Sequence, residues 1–535
     1  MSTQPHQLRT ALRPAERPLP PSGPERPAAT TDEETGPSGR GHRAAGVLAV
    51  LLPALVASYR CLDGIGARQM WRDEHASWWA ATLNTADFRA LLSNIDAVIA
   101  PYYLLLRAWT PAFGDSPASL RTPSAIAIAV SASLVALLAR RVHRAAGGSD
   151  LSASLTGAGA GTAFALLPAV ARYGQEARPY AFAVLLSLLA GVLLLRCLDG
   201  RSGAAWAWYG VTLTLAGAAH LVCLLVLPAH AAAVLTSWIR SRRAAVALNW
   251  LLATLLGLAG ISVLVLRGNS QSKQIAWNNP TRDDLVQLPR DLLGSWPAAA
   301  VVLALALLGL WAARRHVGLL AVWALLPPLL TFATADRLHL FLDRYLLFTA
   351  APVVVLAAAG TAWILSPLRR NTALGGVAVV LAATLLAGIT VLDRSAMAAI
   401  RNNPVAEPDY RGAAALLAAE AKPGDGMVFN SQLNARRAFA YELRDRPAPT
   451  DVMLQYYPED LGRFQGTECD DPSECARYSD RLWLVSTAAG PNPFAQMAAG
   501  TRTVLQEQFK VSSTRELHKI KVLLLERVQP APSND

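Results

Sequence analysis

Two adjacent carboxylates, Asp73 and Glu74, stand in the stretch Trp-Arg-Asp-Glu-His-Ala-Ser-Trp-Trp (71–79), soon after an apolar run that ends near Leu62. Carboxylates are costly to hold beside lipid, so a pair at such a place implies a use. Two kinds of chemistry are open to it: proton abstraction from an acceptor hydroxyl, or the gripping of a cation. The same loop holds His75, Asp96 and the tryptophans Trp71, Trp78 and Trp79. The tryptophans suit a sugar or lipid platform, and equally an ordinary interfacial belt.

A second cluster, Arg-Tyr-Gly-Gln-Glu-Ala-Arg-Pro-Tyr (172–180), separates two apolar runs. Guanidinium matches phosphate oxygens bidentately, so Arg172 and Arg178 are candidates for a lipid-linked phosphate. Glu176 can orient Arg178 or contact a sugar. Tyr173, Gln175 and Tyr180 complete the donor-side candidates. A third stretch, Asp336 to Tyr345, sets Arg344 directly against an apolar run, where an anionic head group would sit. Asp343 and Arg344 also read as a simple helix-end pair. Asp96, Tyr102, Tyr103 and His220 are the acceptor or sugar-side candidates, although a lone histidine after an apolar run more often makes a structural hydrogen bond. The chain has no Walker loop, no dinucleotide glycine fingerprint and no zinc spacing. Gly-Ala-Gly-Ala-Gly (157–161) lies inside an apolar run and predicts close helix packing.

The elements that must position these residues are written in the hydropathy. Of 535 residues, 53% are hydrophobic and only 16% charged, where a soluble chain would carry about 25%. This is the composition of a polytopic α-helical membrane protein. About eleven spans are predicted: 44–62, 121–139, 152–171, 180–198, 204–220, 221–238, 244–266, 298–313, 317–335, 345–365 and 373–392. The net charge of +11 does not point to nucleic acid, because the arginines cluster in short loops between apolar runs. Arg140-Arg141, Arg196, Arg240, Arg314-Arg315 and Arg369-Arg370 fall at alternate span ends. The positive-inside rule makes that side cytoplasmic, together with the N-terminus. Asp73, Arg178 and Arg344 are then external. Ala97 to Phe113 would break this parity as a crossing, so it is expected to lie in or dip into the external interface.

Residues 1–43 form a polar tail rich in Pro, Gly and Arg, expected to be disordered. The catalytic membrane part is placed at 44–394, and an extracytoplasmic α/β domain at 395–535. In that domain a helix is predicted over Tyr410–Ala421, and strands over Gly426–Asn430, Leu482–Ser486 and Lys519–Arg527. Cys469 and Cys475 share a polar loop on the oxidising side, which makes them disulfide candidates.

These motifs, with Ala-Pro-Tyr-Tyr-Leu-Leu-Leu-Arg-Ala-Trp (100–109) and Phe-Gly-Asp-Ser-Pro-Ala-Ser-Leu-Arg-Thr-Pro-Ser-Ala (113–125), resemble the GT-C membrane glycosyltransferases. Within that class the chain is most similar to the protein-mannosyltransferase and aminoarabinose-transferase branch, in its actinobacterial form. The resemblance implies a polyprenyl-phosphate-linked sugar donor, often mannose, and inverting transfer at the outer face of the cytoplasmic membrane. The acceptor would be a cell-envelope glycan, lipid or protein. The resemblance aligns Asp73 with the catalytic base and Glu74 with its acidic neighbour, and sets Arg178 near the donor phosphate. Some relatives use a divalent cation such as Mg or Mn, which Asp73 and Glu74 can hold. One departure is Asp96-Ala-Val-Ile-Ala-Pro101, where many relatives carry His-Pro-Pro or Lys-Pro-Pro. The competing readings are a lipid or glycolipid flippase, a non-catalytic envelope-assembly protein, and a GT-C enzyme with another pentose or hexose donor.

Overall fold

The computed structural model describes residues 37–528 except 201–202, 371, 403–406, 432–433 and 489. Of the tail predicted at 1–43, residues 1–36 lie outside the described residues. From Pro37 the chain is already helical, so the first helix, Pro37–Leu62, starts before the expected span.

The expected spans fall on helical segments, some of them broken, and fewer than the eleven expected qualify as crossings among the described residues. Among the described residues six helices are long and apolar enough to cross a membrane, or up to nine if each bent pair is one span. The pairs are Asp150–Leu166 with Pro168–Gly174, bent by 66°, Ala244–Ala259 with Ser262–Ser270, bent by 52°, and Arg282–Leu293 with Trp296–Ala312, bent by 85°. Gly203–Ala219 and Val317–Ala333 have 17 residues each. Pro168 explains the first break, since proline clashes with the preceding turn. At the last break Gly294 adopts φ +108, a region that favours glycine. Ala100–Phe113 has 14 residues, about 21 Å of helix against a hydrocarbon core of about 30 Å. Alone it is shorter than that core.

The Pro117–Ala145 helix packs on Asp150–Leu166 and on Tyr180–Leu198. A Cβ at Gly157 would meet the Ala136 carbonyl at 2.7 Å, and one at Gly161 the Ala132 carbonyl at 2.6 Å. The glycines therefore let two backbones touch. Arg141, Asp199, Arg240, Arg315 and His316 gather around one cavity of about 320 Å³. Arg141 lies near the C-terminal end of the helix whose N-terminal part holds Arg121, and Arg196 in the last turn of the helix that begins at Tyr180. The arginine-rich loops and the acidic first loop thus occupy opposite ends of the bundle.

The C-terminal part carries a five-stranded sheet. Its strands are β1 (Gly426–Phe429), β2 (Thr450–Asp451), β5 (Arg481–Ser486), β6 (Phe509–Leu517) and β7 (Ile520–Arg527), while β3 (Leu454–Tyr456) and β4 (Thr467–Glu468) form a separate ribbon. The order is β2-β1-β5-β7-β6, with β1 parallel to β2 and β5, and β7 antiparallel to β5 and β6. Alternate residues face opposite sides. Met427, Phe429, Trp483 and Val485 pack on Tyr410, Leu417 and Phe439. Val428, Leu482 and Leu484 pack on Leu505 and Phe509. Cys469 and Cys475 are joined in a disulfide, Cα atoms 6.5 Å apart.

This sheet domain sits on the first loop. The loop folds into two short helices, Arg72–Thr82 and Thr85–Asn94. Gln69 Nε2 donates to the Pro408 carbonyl (2.7 Å), and Arg411 N donates to Gln69 Oε1 (3.2 Å). Trp78 meets Tyr441 with ring centroids 5.0 Å apart, and Trp79 meets Phe464 at 5.6 Å.

Candidate active site

Asp73 and Glu74 are neighbours in sequence with opposite surroundings. The Arg72–Thr82 helix turns about 100° per residue, so one carboxylate points into the bundle and the other does not. Glu74 is 0% exposed. Its Oε1 accepts from Arg121 Nε (2.7 Å) and Ala177 N (2.8 Å), and its Oε2 from Arg121 Nη2 (2.7 Å) and Trp71 N (3.3 Å). Burial pushes its carboxyl pKa up, but the charge and hydrogen bonds of Arg121, the charge of Arg68 and the Ala177 N–H outweigh this and hold it below the usual range. Arg121 also donates to the carbonyls of Ile65, Arg68 and Gln69. The pair therefore ties together the first loop, its helix, the Pro117–Ala145 helix and the turn at 175–179.

Both oxygens of Glu74, expected as a second acid beside Asp73 and as a possible cation ligand with it, accept from protein donors. Among the described residues no group of three or more His, Cys, Asp or Glu side chains converges to hold a metal.

Asp73 keeps a side chain 27% exposed, with Arg72 Nε 3.9 Å from it on the same helix. Arg178 lies beside it. Arg178 Nη1 reaches the Asp73 carbonyl (3.5 Å) and Ser77 Oγ (3.3 Å), and the guanidinium sits 6.0 Å from the Tyr180 ring centre. Burial works to lower the Arg178 pKa, but Tyr180, Asp73, Tyr103 and Asp96 face it and keep it raised. Arg344 comes from the start of the Asp343–Ile364 segment and faces Tyr180, Tyr345 and Asp73. Its guanidinium lies 5.9 Å from the Trp71 ring centre and 5.6 Å from that of Tyr345. Arg178 Nε, Arg344 Nε and the Tyr180 hydroxyl are buried without a hydrogen-bond partner among the described residues.

Asp96 and Tyr103 close another side. Tyr103 donates its hydroxyl to Asp96 Oδ2 at 2.7 Å. Burial raises the Asp96 pKa, Arg178 and the Tyr103 hydrogen bond oppose this, and Asp73 adds to it. Tyr102 is buried beside Phe182, ring centroids 6.1 Å apart. His220 lies against Tyr345, ring centroids 4.3 Å apart and tilted by 49°, and its Nδ1 accepts from Val222 N (3.3 Å). Asp73, Asp96, Tyr103, Arg178, Tyr180, His220, Arg344 and Tyr345 thus share one neighbourhood.

Other candidates stand apart. Gln175 Nε2 donates to the carbonyls of Cys61 (3.0 Å) and Asp63 (2.9 Å), fixing the end of the first helix. Tyr173 is buried and donates to Asp343 Oδ2 at 2.6 Å. Arg172 pairs with Glu176 at 3.4 Å and lines a separate cleft of about 630 Å³ with Arg68, Arg290, Asp291 and Asp343. Burial raises the Glu176 pKa, against the charges of Arg172 and Arg68. His75 is buried between Tyr410 and Tyr441. Burial drives its pKa down to about 3, so it is neutral at neutral pH and fills the domain contact.

Sequence reasoning missed two arginines. Arg121 stood in the motif at 113–125, but nothing local tied it to Glu74. Arg437, on the Ala435–Glu442 helix of the sheet domain, faces Tyr103, Asp96 and Asp73. Its only local sign was a pair of adjacent arginines, Arg436-Arg437, on a short helix.

No family model matches the chain, and no curated protein does. Solved structures do match. ArnT from Cupriavidus metallidurans bound to undecaprenyl phosphate has a TM-score of 0.57 at 14% identity, covering 91% of this chain and 99% of that one. The same protein in the apo state gives 0.55 at 14% identity, over 93% and 100%. The Archaeoglobus fulgidus oligosaccharyltransferase, crystallised with Zn and sulfate, gives 0.48 at 11% identity, over 86% and 71%. The chain has an ArnT-like GT-C fold with a C-terminal sheet domain.

Proposed function

We propose that the protein is an integral membrane glycosyltransferase of the GT-C type. It moves a sugar, mannose in our reading, from a polyprenyl-phosphate donor to an acceptor hydroxyl on the outer face of the cytoplasmic membrane. The observation that carries the proposal is the meeting of a partly exposed carboxylate, Asp73, with two guanidinium groups from distant segments, Arg178 and Arg344. The fold shared with ArnT, crystallised with undecaprenyl phosphate, supports a lipid-phosphate donor. The mannosyltransferase branch and the actinobacterial type rest on the sequence motifs alone.

Asp73 takes the proton of the acceptor hydroxyl as its oxygen attacks the anomeric carbon. The bond from that carbon to the phosphate oxygen breaks, and its electron pair stays on the lipid phosphate. Attack from the opposite face inverts the anomeric centre. The phosphate gains charge in this step, and Arg178 and Arg344 stabilise it. A buried donor left unpaired costs about 1–3 kcal/mol, so the unpartnered Nε atoms of both arginines favour an anion beside them. No nucleotide is needed, because the lipid phosphate is itself the leaving group. Glu74 and Arg121 take no part in the chemistry and hold the 175–179 turn in register.

The test is transfer by purified protein in nanodiscs from undecaprenyl-phosphate-linked mannose, then from other lipid-phosphate sugars, to envelope extracts. Wild type should transfer, and Asp73→Asn should not while folding normally. Undiminished transfer by Asp73→Asn removes Asp73 from its role. No transfer by wild type with any donor overturns the proposal.

A further inference from the structure

The end of the bundle opposite the candidate active site opens into a polar chamber of about 620 Å³, with Arg144, Arg314, Arg315 and His316 in its wall. An apolar groove of about 560 Å³ adjoins it, between the helices Asp150–Leu166, Trp296–Ala312, Ala350–Ile364 and Thr372–Leu392. Ser149, Ser152 and Ala362 belong to both walls, so the chamber leads into the groove. The groove follows the first of these helices from Leu151 to Leu166, about 22 Å of a hydrocarbon core about 30 Å deep. It is left open because the Thr372–Leu392 helix stands off the bundle: its most apolar stretch is only 6% buried. Gly157 and Gly161 are packed against a neighbouring backbone, but Gly159 between them faces the groove and has nothing within 4 Å of where a Cβ would stand.

The chamber is charged in one sense. Arg144 is paired with Asp150 at 2.8 Å. Arg314 and Arg315 are exposed and form no ion pair among the described residues. His316 Nδ1 is buried without a hydrogen-bond partner among the described residues. The helices Asp150–Leu166 and Val317–Ala333 both begin at the chamber, the second without a side-chain cap. Their first N–H groups and macrodipoles add to the positive field. Trp311 and Trp363, 67% and 50% exposed, also stand in the wall, and tryptophan settles at headgroup level.

We propose that chamber and groove together bind one anionic phospholipid, its phosphate against Arg314, Arg315 and His316 and its acyl chains along the groove past Gly159. Charge complementarity selects an anionic head, and the groove selects a lipid over free phosphate. The positive-inside rule places this end in the cytoplasm, so the lipid belongs to the leaflet opposite the proposed transfer. It is not the donor, whose phosphate would lie by Arg178 and Arg344. The cleft that holds Arg172 shares no wall residue with the groove. The inference goes beyond the proposed function, and its test needs no transfer.

The experiment is native mass spectrometry of full-length protein in detergent, titrated with phosphatidylglycerol or with phosphatidylcholine of the same acyl chains. Wild type should bind one phosphatidylglycerol roughly tenfold or more tightly than phosphatidylcholine. A basic residue beside an anionic head is worth roughly fivefold in affinity, so Arg314→Gln with Arg315→Gln should weaken phosphatidylglycerol by roughly 10–30-fold and leave phosphatidylcholine within about twofold. Gly159→Leu should weaken both lipids by roughly fourfold or more, because it displaces at least one buried methylene. Arg267→Gln with Arg282→Gln, two exposed arginines outside the chamber, should change neither. Equal affinity for the two lipids, or an equal loss in the Arg267 and Arg282 control, marks ordinary boundary lipid and overturns the proposal. Undecaprenyl phosphate that displaces the phosphatidylglycerol at equal concentration assigns the groove to the carrier lipid and overturns it as well. If the Arg314 and Arg315 variant does not fold, Gly159→Leu decides, and unchanged phosphatidylglycerol binding there refutes the site.

Discussion

Glu74→Gln is the perturbation whose size follows most directly from the structure. The substitution keeps the side-chain volume and removes one charge from a site that is 0% exposed. Arg121, whose side chain is 1% exposed, then stands as a buried cation without its counter-ion. Breaking a buried pair from one side costs about 3–5 kcal/mol. Three carbonyls still accept from Arg121, those of Ile65, Arg68 and Gln69, which places the expected loss near the lower end, about 3 kcal/mol. The amide of the new glutamine also opposes a donor, the Ala177 N–H or Arg121 itself, in at least one orientation.

The assay is equilibrium denaturation by SDS in mixed micelles, read by tryptophan fluorescence. The companion variant is Glu74→Leu with Arg121→Met, which leaves no charge unpaired. It should recover more than half of the loss, because a well-packed apolar pair often matches or exceeds a buried ion pair. The pH dependence has a fixed sign. The folded-state pKa of Glu74 is depressed, so its stabilisation is fully present above the unfolded value of about 4.3 and disappears as pH falls through the folded value. The gap between wild type and Glu74→Gln should be constant from neutral pH down to about 5 and narrow below about 4. A gap under about 1 kcal/mol, or a double variant no better than the single, refutes the reasoning.

Other substitutions probe the chemistry. Asp73→Asn should reduce transfer by roughly 10²–10⁴-fold, the range of a lost general base, with stability changed by less than about 0.5 kcal/mol at this partly exposed position; a stability loss like that of Glu74→Gln would reverse the two roles. Arg178→Met should weaken binding of undecaprenyl phosphate by roughly 10–100-fold, the equivalent of one charge-assisted hydrogen bond, as measured by native mass spectrometry, and Arg172→Met, which lines a different cleft, should weaken it less. Equal effects at the two arginines would merge the clefts. Tyr103→Phe removes a hydrogen bond that lowers the Asp96 pKa, so the Asp96 carboxyl should titrate at higher pH than in wild type; an infrared midpoint that stays in place or falls contradicts the geometry.

Hydropathy marked the apolar helices, although six to nine of them, against the eleven expected spans, are long and apolar enough to cross a membrane among the described residues. It could not show where a span bends. The 85° break before Trp296 depends on a positive-φ glycine and on Asp393, which accepts from Ser295 N at 2.7 Å across the fold. The strands β1, β5 and β7 were legible as buried apolar runs. Edge strand β6, Lys-Val-Ser-Ser-Thr-Arg-Glu-Leu after Phe509, was not, since its exposed polar residues read as loop. In the site, the acids and arginines flanking spans stood out because charge at a membrane boundary is rare. Arg437 did not, because in a soluble domain an arginine is ordinarily a solvated surface group.

The deeper limit concerns neighbours in sequence. Asp73 and Glu74 looked like a matched pair, and a helix turns them about 100° apart. That rotation lets one carboxylate organise the site for the other. Glu74 holds the Ala177 N–H, and Ala177 precedes Arg178. Arg178 in turn reaches the Asp73 carbonyl and Ser77 Oγ. A chain of short contacts therefore runs from the buried ion pair, through one residue of the turn, to the guanidinium beside Asp73. If this chain sets the register, Glu74→Gln should reduce transfer by displacing Arg178, with weakened lipid-phosphate binding. Loss of turnover with lipid-phosphate affinity intact would mean that Glu74 acts on the chemistry by another route.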